Sequence, residues 1–219
     1  MKVRLVTGYV PIRNHPRTPE EYGKLGELLS GVPVPKKAYY DQVQNLWMTK
    51  YIKKLPFLPR ASQGDNDTKN TIAYHSVNHE KTTWLVQAFN DYPDTDIYVW
   101  VDYGIFRLPG VNNQAIYEFC EKLDDKAIYI PGCWDKGVVE SANPCWRFCG
   151  SMFAVPRKHV NEFDFACRST ARQHISSTKN VEWEVNTWAR VEAAKGIKLP
   201  IKWYKADHNV SMFNNLELA

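Results

Sequence analysis

The chain has 219 residues, 44% of them hydrophobic and 24% charged, which is the composition of a globular protein with one substantial core. Its net charge of +4 is modest, and no basic block indicates a nucleic-acid partner. The sequence contains no apolar stretch of transmembrane length and no signal peptide, so we expect a cytoplasmic protein, either free or peripheral at a membrane.

Alternating apolar runs and helical patterns predict an α/β domain in which helices connect mainly parallel strands. We predict strands at residues 3–6, 97–101, 127–130, 148–155 and 201–204. We predict helices at residues 20–30, 39–51, 71–90, 113–123, 157–163 and 181–194, the last of them capped by Asn180. Residues 61–67 have the composition of a loop.

The five cysteines are odd in number and mostly far apart in the sequence. Cys145 and Cys149 form a C-x3-C pair, but no second pair of matching spacing follows. The spacing therefore argues against a structural zinc site and favours reduced thiols.

Asp102 directly follows the run Ile97–Val101, whose β-branched and aromatic residues predict a buried central strand. Tyr103 and Gly104 end that strand, so Asp102 should lie at its carboxyl end. In open α/β sheets, ligands bind at this edge. Asp102 is therefore either a ligand of a divalent cation or an ordinary turn residue. Residues 7–9, Thr-Gly-Tyr, end the first strand at the same edge.

Four further residues could carry chemistry, and each has a structural alternative. His208, after the last strand, could bind a metal or be an ordinary solvated or core histidine. Glu182 and Glu184 could act as a general base, or could stabilise the dipole of the helix that we place at residues 181–194. Lys81 could reach a phosphate or be a solvated helix lysine.

Four stretches together resemble the HtrL-type family of putative glycosyltransferases. They are residues 72–90, residues 99–105 (Val-Trp-Val-Asp-Tyr-Gly-Ile), residues 204–215 and the opening residues 6–9. The order of these stretches is more specific than any one of them. The chain is also similar to glycosyltransferase domains of large algal viruses.

The resemblance implies a GT-A fold, which is a Rossmann-like single-domain α/β/α sandwich with a mainly parallel mixed central sheet. It covers residues 1–219, either as a complete domain or as part of a longer protein. Members of this fold use a nucleotide-sugar donor and usually a Mn²⁺ or Mg²⁺ ion on an Asp-x-Asp motif. In this sequence the triplet is Trp100-Val101-Asp102, so only its last carboxylate is present. His208 falls where many members have a further metal ligand.

On this resemblance we expect a glycosyltransferase that moves a sugar from a nucleotide-diphosphate-sugar, such as a UDP-sugar, to an acceptor hydroxyl of a glycan. The resemblance places the donor at Thr7, Gly8, Tyr9, Tyr103 and Gly104, and the metal on Asp102 and His208, with Lys81 or Arg13 adding positive charge. Glu184, or else Glu182, would be the base of an inverting reaction. A nucleotide-sugar hydrolase, a nucleotidyltransferase and a non-catalytic carbohydrate-binding module are the alternatives.

Overall fold

The computed structural model describes residues 1–12, 17–62, 67–137, 139 and 143–218. Its strands are β1 (Val3–Tyr9), β2 (Lys36–Tyr40), β3 (Arg60–Ala61), β4 (Ile97–Val101), β5 (Ile128–Gly132), β6 (Met152–Pro156), β7 (Asn180–Val181) and β8 (Ile201–Lys205). Its α-helices are α1 (Pro19–Leu28), α2 (Trp47–Ile52), α3 (Ile72–His79), α4 (Lys81–Asp91), α5 (Asn113–Lys122), α6 (Val160–Thr178), α7 (Glu184–Ala193) and α8 (Ser211–Asn214).

Six strands form a mixed sheet in the order β2-β1-β4-β6-β5-β8, and the short strands β3 and β7 pair separately. All neighbours in the large sheet are parallel except β6, which is antiparallel to both β4 and β5. The carboxyl ends of β1, β4, β5 and β8 therefore meet at one edge of the sheet. The amino end of β6 lies at the same edge, because Met152 pairs with Val101.

Buried side chains cover both faces of the sheet, which makes the architecture an α/β/α sandwich. The central strand β4 is buried at every residue. Ile97, Val99 and Val101 belong to a cluster with α5 and α8 on one face, whereas Tyr98 and Trp100 belong to a cluster with α4, α6 and α7 on the other. This alternation follows from the two-residue period of a strand. The predicted fold class is confirmed.

Several predicted element bounds were wrong. The helix predicted at residues 39–51 is the edge strand β2 followed by the short helix α2, because Tyr39 and Tyr40 pair with the end of β1. The helix predicted at residues 71–90 is two helices that meet at Glu80. The predicted helix at residues 157–163 extends to Thr178.

The segment around the two candidate bases also differs from the prediction. Asn180 does not cap a helix but forms β7 with Val181, and it pairs with Arg60. The helix begins only at Glu184, so Glu182 precedes it. None of the helices in the described ranges combines the length and the apolarity that crossing a bilayer requires.

Candidate active site

A pocket lies at the carboxyl ends of β1 and β4, and contains about 760 Å³ of empty space, part of it open to solvent. Three tyrosines cluster in its wall. The ring centroid of Tyr9 lies 5.5 Å from that of Tyr22 and 5.2 Å from that of Tyr103. Basic and acidic side chains line the same pocket, namely Arg17, Lys81, Asp102 and Arg107. The pocket thus combines flat aromatic surface with charged groups.

Asp102 leaves β4 at the predicted position and is held from several sides. Its backbone N–H donates to the carbonyl of Ser151 at 2.8 Å, which fixes the residue against the start of β6. Its Oδ1 accepts from the indole Nε1 of Trp100 at 3.0 Å and lies 3.2 Å from Nζ of Lys81. Its Oδ2 lies 3.4 Å from Nη2 of Arg107. Burial acts to raise the pKa of Asp102, but the positive charges of Lys81 and Arg107 outweigh it and lower that pKa.

Lys81, at the start of α4, is buried, with 4% of its surface exposed. Its Nζ donates to the carbonyl of Gly150 at 2.8 Å and to Oε1 of Glu184 at 2.9 Å, besides its contact with Asp102. An ammonium group has three donors, so these acceptors use all of them. Burial acts to lower the pKa of Lys81, but the two carboxylates raise it overall. We call Lys81, Asp102 and Glu184 the carboxylate–lysine cluster.

Glu184 is the first residue of α7, and its side chain is only 5% exposed. Its Oε1 binds Lys81, whereas its buried Oε2 has no hydrogen-bond partner among the described residues. Gly150 makes this approach possible, because a Cβ at that position would clash with Oε1. The absence of a side chain at Gly150 therefore leaves room for a carboxylate of the protein itself.

Glu182 has a different environment from Glu184. Its carboxylate accepts from Nε of Arg190 at 3.0 Å and lies 3.6 Å from the ring of His174. Its backbone carbonyl accepts from Nε2 of His79 at 3.0 Å. Burial raises the pKa of Glu182, and Arg190 opposes that shift. Glu182 is thus ion-paired beneath the surface, outside the carboxylate–lysine cluster.

His208 follows the carboxyl end of β8 and lies next to two cysteines. Among the described residues, no contact joins it to Asp102, its predicted partner in metal binding. Its Nδ1 is 3.7 Å from Sγ of Cys133, and that sulfur is 3.6 Å from Sγ of Cys149. We call Cys133, Cys149 and His208 the thiol–imidazole cluster. All five cysteines are free thiols.

The structure brings most of the residues predicted to bind the donor to the pocket. Its lining includes Gly8, Tyr9, Lys81, Asp102, Tyr103 and Gly104. Thr7 is buried beneath the same edge of the sheet, with 6% of its surface exposed. Arg13 lies outside the described residues.

The lining residues that sequence reasoning missed include Arg17, Tyr22, Tyr74 and Arg107. Tyr22 comes from α1, which reaches the pocket across the end of β1. Arg107 follows a turn in which the N–H of Ile105 donates to the carbonyl of Asp102, and its Nη1 donates to the carbonyl of Gly104 at 2.8 Å. Its position three residues after a strand-ending glycine was the available signal.

The environment of Asp102 does not fit a divalent cation in this arrangement. Both carboxylate oxygens already face a cationic side chain, and Lys81 and Arg107 would repel a further positive charge. Among the described residues, the one group of three or more histidine, cysteine or acidic side chains with converging ligand atoms is the thiol–imidazole cluster.

No protein-family model matches the chain, and neither does any curated protein. Solved structures do match its fold. One is a glycosyltransferase involved in the glycosylation of the major capsid of PBCV-1, with a TM-score of 0.54 and 12% identity, covering 93% of this chain and 81% of that one. The chain has a glycosyltransferase-type Rossmann-like fold. A second match, at a TM-score of 0.45 and 12% identity, is CMP:2-keto-3-deoxy-manno-octonic acid synthetase complexed with CTP, covering 94% and 91%.

The first of these neighbours is a viral glycosyltransferase, and at 12% identity the match shows a shared fold alone. The similarity to the HtrL-type family has no support from a family model.

Proposed function

We propose that the protein is a glycosyltransferase that moves a sugar from a nucleotide-diphosphate-sugar to a hydroxyl group of a glycan. The observation that carries the proposal is the pocket at the ends of β1 and β4, where a tyrosine cluster and basic side chains surround Asp102. The fold of a viral glycosyltransferase supports it. In the doubly wound class of α/β sheet, ligands bind outside the carboxyl ends of the strands, which is where this pocket lies.

The tyrosine cluster is the proposed site of the nucleobase. Tyr9, Tyr22 and Tyr103 supply rings on which a base can stack, and base–aromatic stacking contributes about 1–3 kcal/mol per base. The diphosphate would then lie towards Arg17 and Arg107, which line the pocket. A guanidinium group has five donors, so Arg107 keeps some for a phosphate beside its bonds to Gly104 and Asp102.

We propose that Lys81 acts on the diphosphate through its charge. Its three donors are used within the protein, so a direct bond to a phosphate would break one of them. Because the ammonium group is buried, its field is weakly screened. Asp102 and Glu184 share that charge, so Arg17 and Arg107, which line the pocket, would supply most of the positive charge that offsets the negative charge developing on the leaving nucleoside diphosphate.

Glu184 is the proposed base if the reaction inverts configuration. The acceptor oxygen attacks the anomeric carbon, Glu184 takes the proton of the hydroxyl, and the nucleoside diphosphate leaves. The oxygen without a partner, Oε2, is the atom that would take the proton; because it is buried and Glu184 does not line the pocket, the acceptor hydroxyl would reach it only after the pocket wall or the Glu184 side chain moved. Glu182, our other candidate, has its carboxylate engaged by Arg190.

A Mn²⁺ or Mg²⁺ ion at the diphosphate stays a prediction, since it could bind Asp102 only after Lys81 or Arg107 moved away from that carboxylate. We also propose that the protein works in the cytoplasm, where nucleotide-sugars are available to an enzyme without a membrane-spanning helix in its described part.

Isothermal titration calorimetry with uridine, guanosine and thymidine diphosphates, each with and without Mn²⁺ or Mg²⁺, tests the donor site. We expect one of them to bind, and we expect Arg107→Ala to weaken that binding. Binding that is equal with and without the ion would remove the metal from the proposal. If no diphosphate binds under any condition, the transferase proposal fails.

Product analysis separates the remaining alternatives. Incubation of the matching nucleotide-sugar with a glycan pool should release nucleoside diphosphate and extend the glycan. Release of free sugar without extension would indicate a nucleotide-sugar hydrolase. Pyrophosphate formed from a nucleoside triphosphate would indicate a nucleotidyltransferase, and binding of glycans without any turnover would indicate a carbohydrate-binding module.

A further inference from the structure

The thiol–imidazole cluster has the dimensions of a zinc site. A tetrahedral zinc ion with Zn–S of about 2.3 Å and Zn–N of about 2.0–2.1 Å separates two sulfurs by about 3.8 Å, and a sulfur from a nitrogen by about 3.6 Å. The two sulfurs of Cys133 and Cys149 are 3.6 Å apart, and Sγ of Cys133 is 3.7 Å from Nδ1 of His208. These separations match two edges of such a tetrahedron.

Asp207 lies beside the cluster, on the side of Cys133 and His208, and is the candidate for a fourth ligand. Its Oδ1 is 3.7 Å from Sγ of Cys133 and 3.7 Å from Nδ1 of His208. Its side chain is 75% exposed, so it can turn towards an ion without repacking the core. Zinc accepts carboxylate oxygens as well as thiolates and imidazoles.

Backbone hydrogen bonds hold the segments that carry these side chains together. The N–H of Cys133 donates to the carbonyl of Trp146 at 2.9 Å, and the N–H of Cys149 donates to that of Pro131 at 2.7 Å. The N–H of Ala206 donates to the carbonyl of Gly132 at 2.8 Å. A Cβ at Gly132 would overlap the backbone of Arg147. The end of β5 and the segment before β6 are therefore in close contact at this point. The cluster is therefore built into the fold.

The ligand chemistry selects the metal. Two thiolates and one imidazole are soft or borderline ligands, which suit zinc and do not suit Mg²⁺ or Ca²⁺. Cys149 is fully buried and Cys133 is partly exposed, so an ion could enter from the side of Cys133 and His208. The ring of Trp146 packs edge-on against His208, with 4.7 Å between the centroids, and restricts the orientation of the imidazole.

We propose that Cys133, Cys149 and His208, with Asp207 as the fourth ligand, bind a Zn²⁺ ion that fastens the ends of β5 and β8 to the segment before β6. Binding would deprotonate the thiols and release their protons to solvent. The C-x3-C spacing of Cys145 and Cys149 argued against a zinc site, but Cys145 is not a member of this cluster.

The proposed ion would also support the candidate active site. Cys149 is followed by Gly150 and Ser151. The carbonyl of Gly150 accepts from Lys81, and the carbonyl of Ser151 accepts from the N–H of Asp102. An ion on Cys149 would therefore restrict the backbone that positions two members of the carboxylate–lysine cluster. This role is positional, since no atom of the zinc site needs to touch the donor.

Zinc binding is measured directly on the full chain, reduced with a non-chelating phosphine. We expect one zinc ion per chain by mass spectrometry of the metal content after dialysis, and competition with a chromophoric chelator gives the affinity. Co²⁺ in place of zinc should give thiolate charge-transfer bands and the intense visible bands of a tetrahedral site. Loss of a partner around a metal ligand costs about 10–100-fold in affinity, so Cys133→Ser, which removes a ligand itself, should cost at least that much.

Cys145→Ser is the matched control, since it changes a cysteine of the same segment outside the cluster, and it should keep wild-type affinity. Circular dichroism confirms that each variant folds, and His208→Ala, at a partly exposed position, gives a second ligand variant. Equal zinc affinity in wild type and Cys133→Ser would overturn the proposal. So would failure of the reduced wild type to bind zinc, or quantitative formation of a Cys133–Cys149 disulfide in the presence of zinc. None of these readouts depends on donor binding.

Discussion

The carboxyl edge of the sheet carries two clusters whose chemistry differs. At β1 and β4, the carboxylate–lysine cluster pairs buried charges with one another, next to a pocket lined by tyrosines and arginines. At β5 and β8, the thiol–imidazole cluster joins two sulfurs and a ring nitrogen without a matched cation. The first arrangement suits an anionic ligand and the second suits a soft metal ion. One edge can therefore serve two ligands without competition between them.

Glu184 and Glu182 give the largest expected contrast. Glu184→Gln keeps a side chain of the same shape beside Lys81 but cannot accept a proton, so transfer should fall about 10²–10⁴-fold while donor binding stays near wild type. Glu182→Gln should leave turnover unchanged and lower the free energy of unfolding by about 1.5–3 kcal/mol, because it weakens the contact with Arg190. Initial rates and urea unfolding measure the two effects. Equal turnover in Glu184→Gln and wild type would assign the base elsewhere.

Removal of the Lys81 ammonium group tests how far the stability of the carboxylate–lysine cluster depends on the pairing of opposite charges. Lys81→Met leaves Asp102 and Glu184 buried without their shared partner, so we expect a loss of about 3–5 kcal/mol in the free energy of unfolding. Urea unfolding measures it, with Lys54→Met at an exposed position as the control. A loss no larger than that of the control would show that the cluster is not held by charge.

The free energy of unfolding should depend on pH through His79, which lies two residues before Lys81 of the carboxylate–lysine cluster. Burial lowers the pKa of His79 to about 4, against 6.5 for the unfolded side chain, although its bond to the carbonyl of Glu182 opposes the shift. Between these values the unfolded chain binds more protons, so stability is complete above about pH 6.5 and falls towards pH 4, by about 3 kcal/mol in all. His79→Gln keeps a donor for that carbonyl and should flatten the curve.

The measurement is urea unfolding between pH 4 and pH 7.5, and His159→Gln, at a partly exposed position, is the control. The control should change the pH dependence much less than His79→Gln does. An unchanged curve in His79→Gln would mean that another group causes the acid sensitivity.

The smallest expected effect concerns the tyrosine cluster. Tyr103→Ala removes a ring that lies 5.2 Å from that of Tyr9, so nucleotide binding should weaken by about 1–3 kcal/mol. Tyr103→Phe keeps the ring and should bind almost as wild type does. Calorimetry with the diphosphate that binds wild type measures the three affinities. Equal affinities for wild type and both variants would place the nucleobase away from Tyr103. Zinc affinity should be the same in all of them.

Sequence patterns predicted the parts of the fold that are set by local burial. The strand Ile97–Val101 was predicted with its exact bounds, because a central strand buried on both faces is a continuous run of β-branched and aromatic residues. Strand β2 was missed, since an edge strand with partly exposed residues carries no such run. Its conformation depends on pairing with β1, which no local pattern shows.

The candidate site was predictable only one residue at a time. The position of Asp102 follows from the end of its strand. Its partner Lys81 also binds Glu184, which lies 103 residues from Lys81 in the sequence. The thiol–imidazole cluster joins residues up to 75 positions apart, so a search for closely spaced metal motifs cannot find it. Both clusters result from the sheet order, which brings distant strand ends together.

The antiparallel direction of β6 constrains the length of the segment that precedes it. Because β6 runs against its neighbours, the short segment from Cys149 to Met152 touches the thiol–imidazole cluster at one end and the carboxylate–lysine cluster in its middle. Insertion or deletion of one residue there would shift Gly150 and Cys149 relative to both partners at once. Homologous chains that keep both sites should therefore keep the spacing from Cys149 to Met152 unchanged, even where their other loops differ in length.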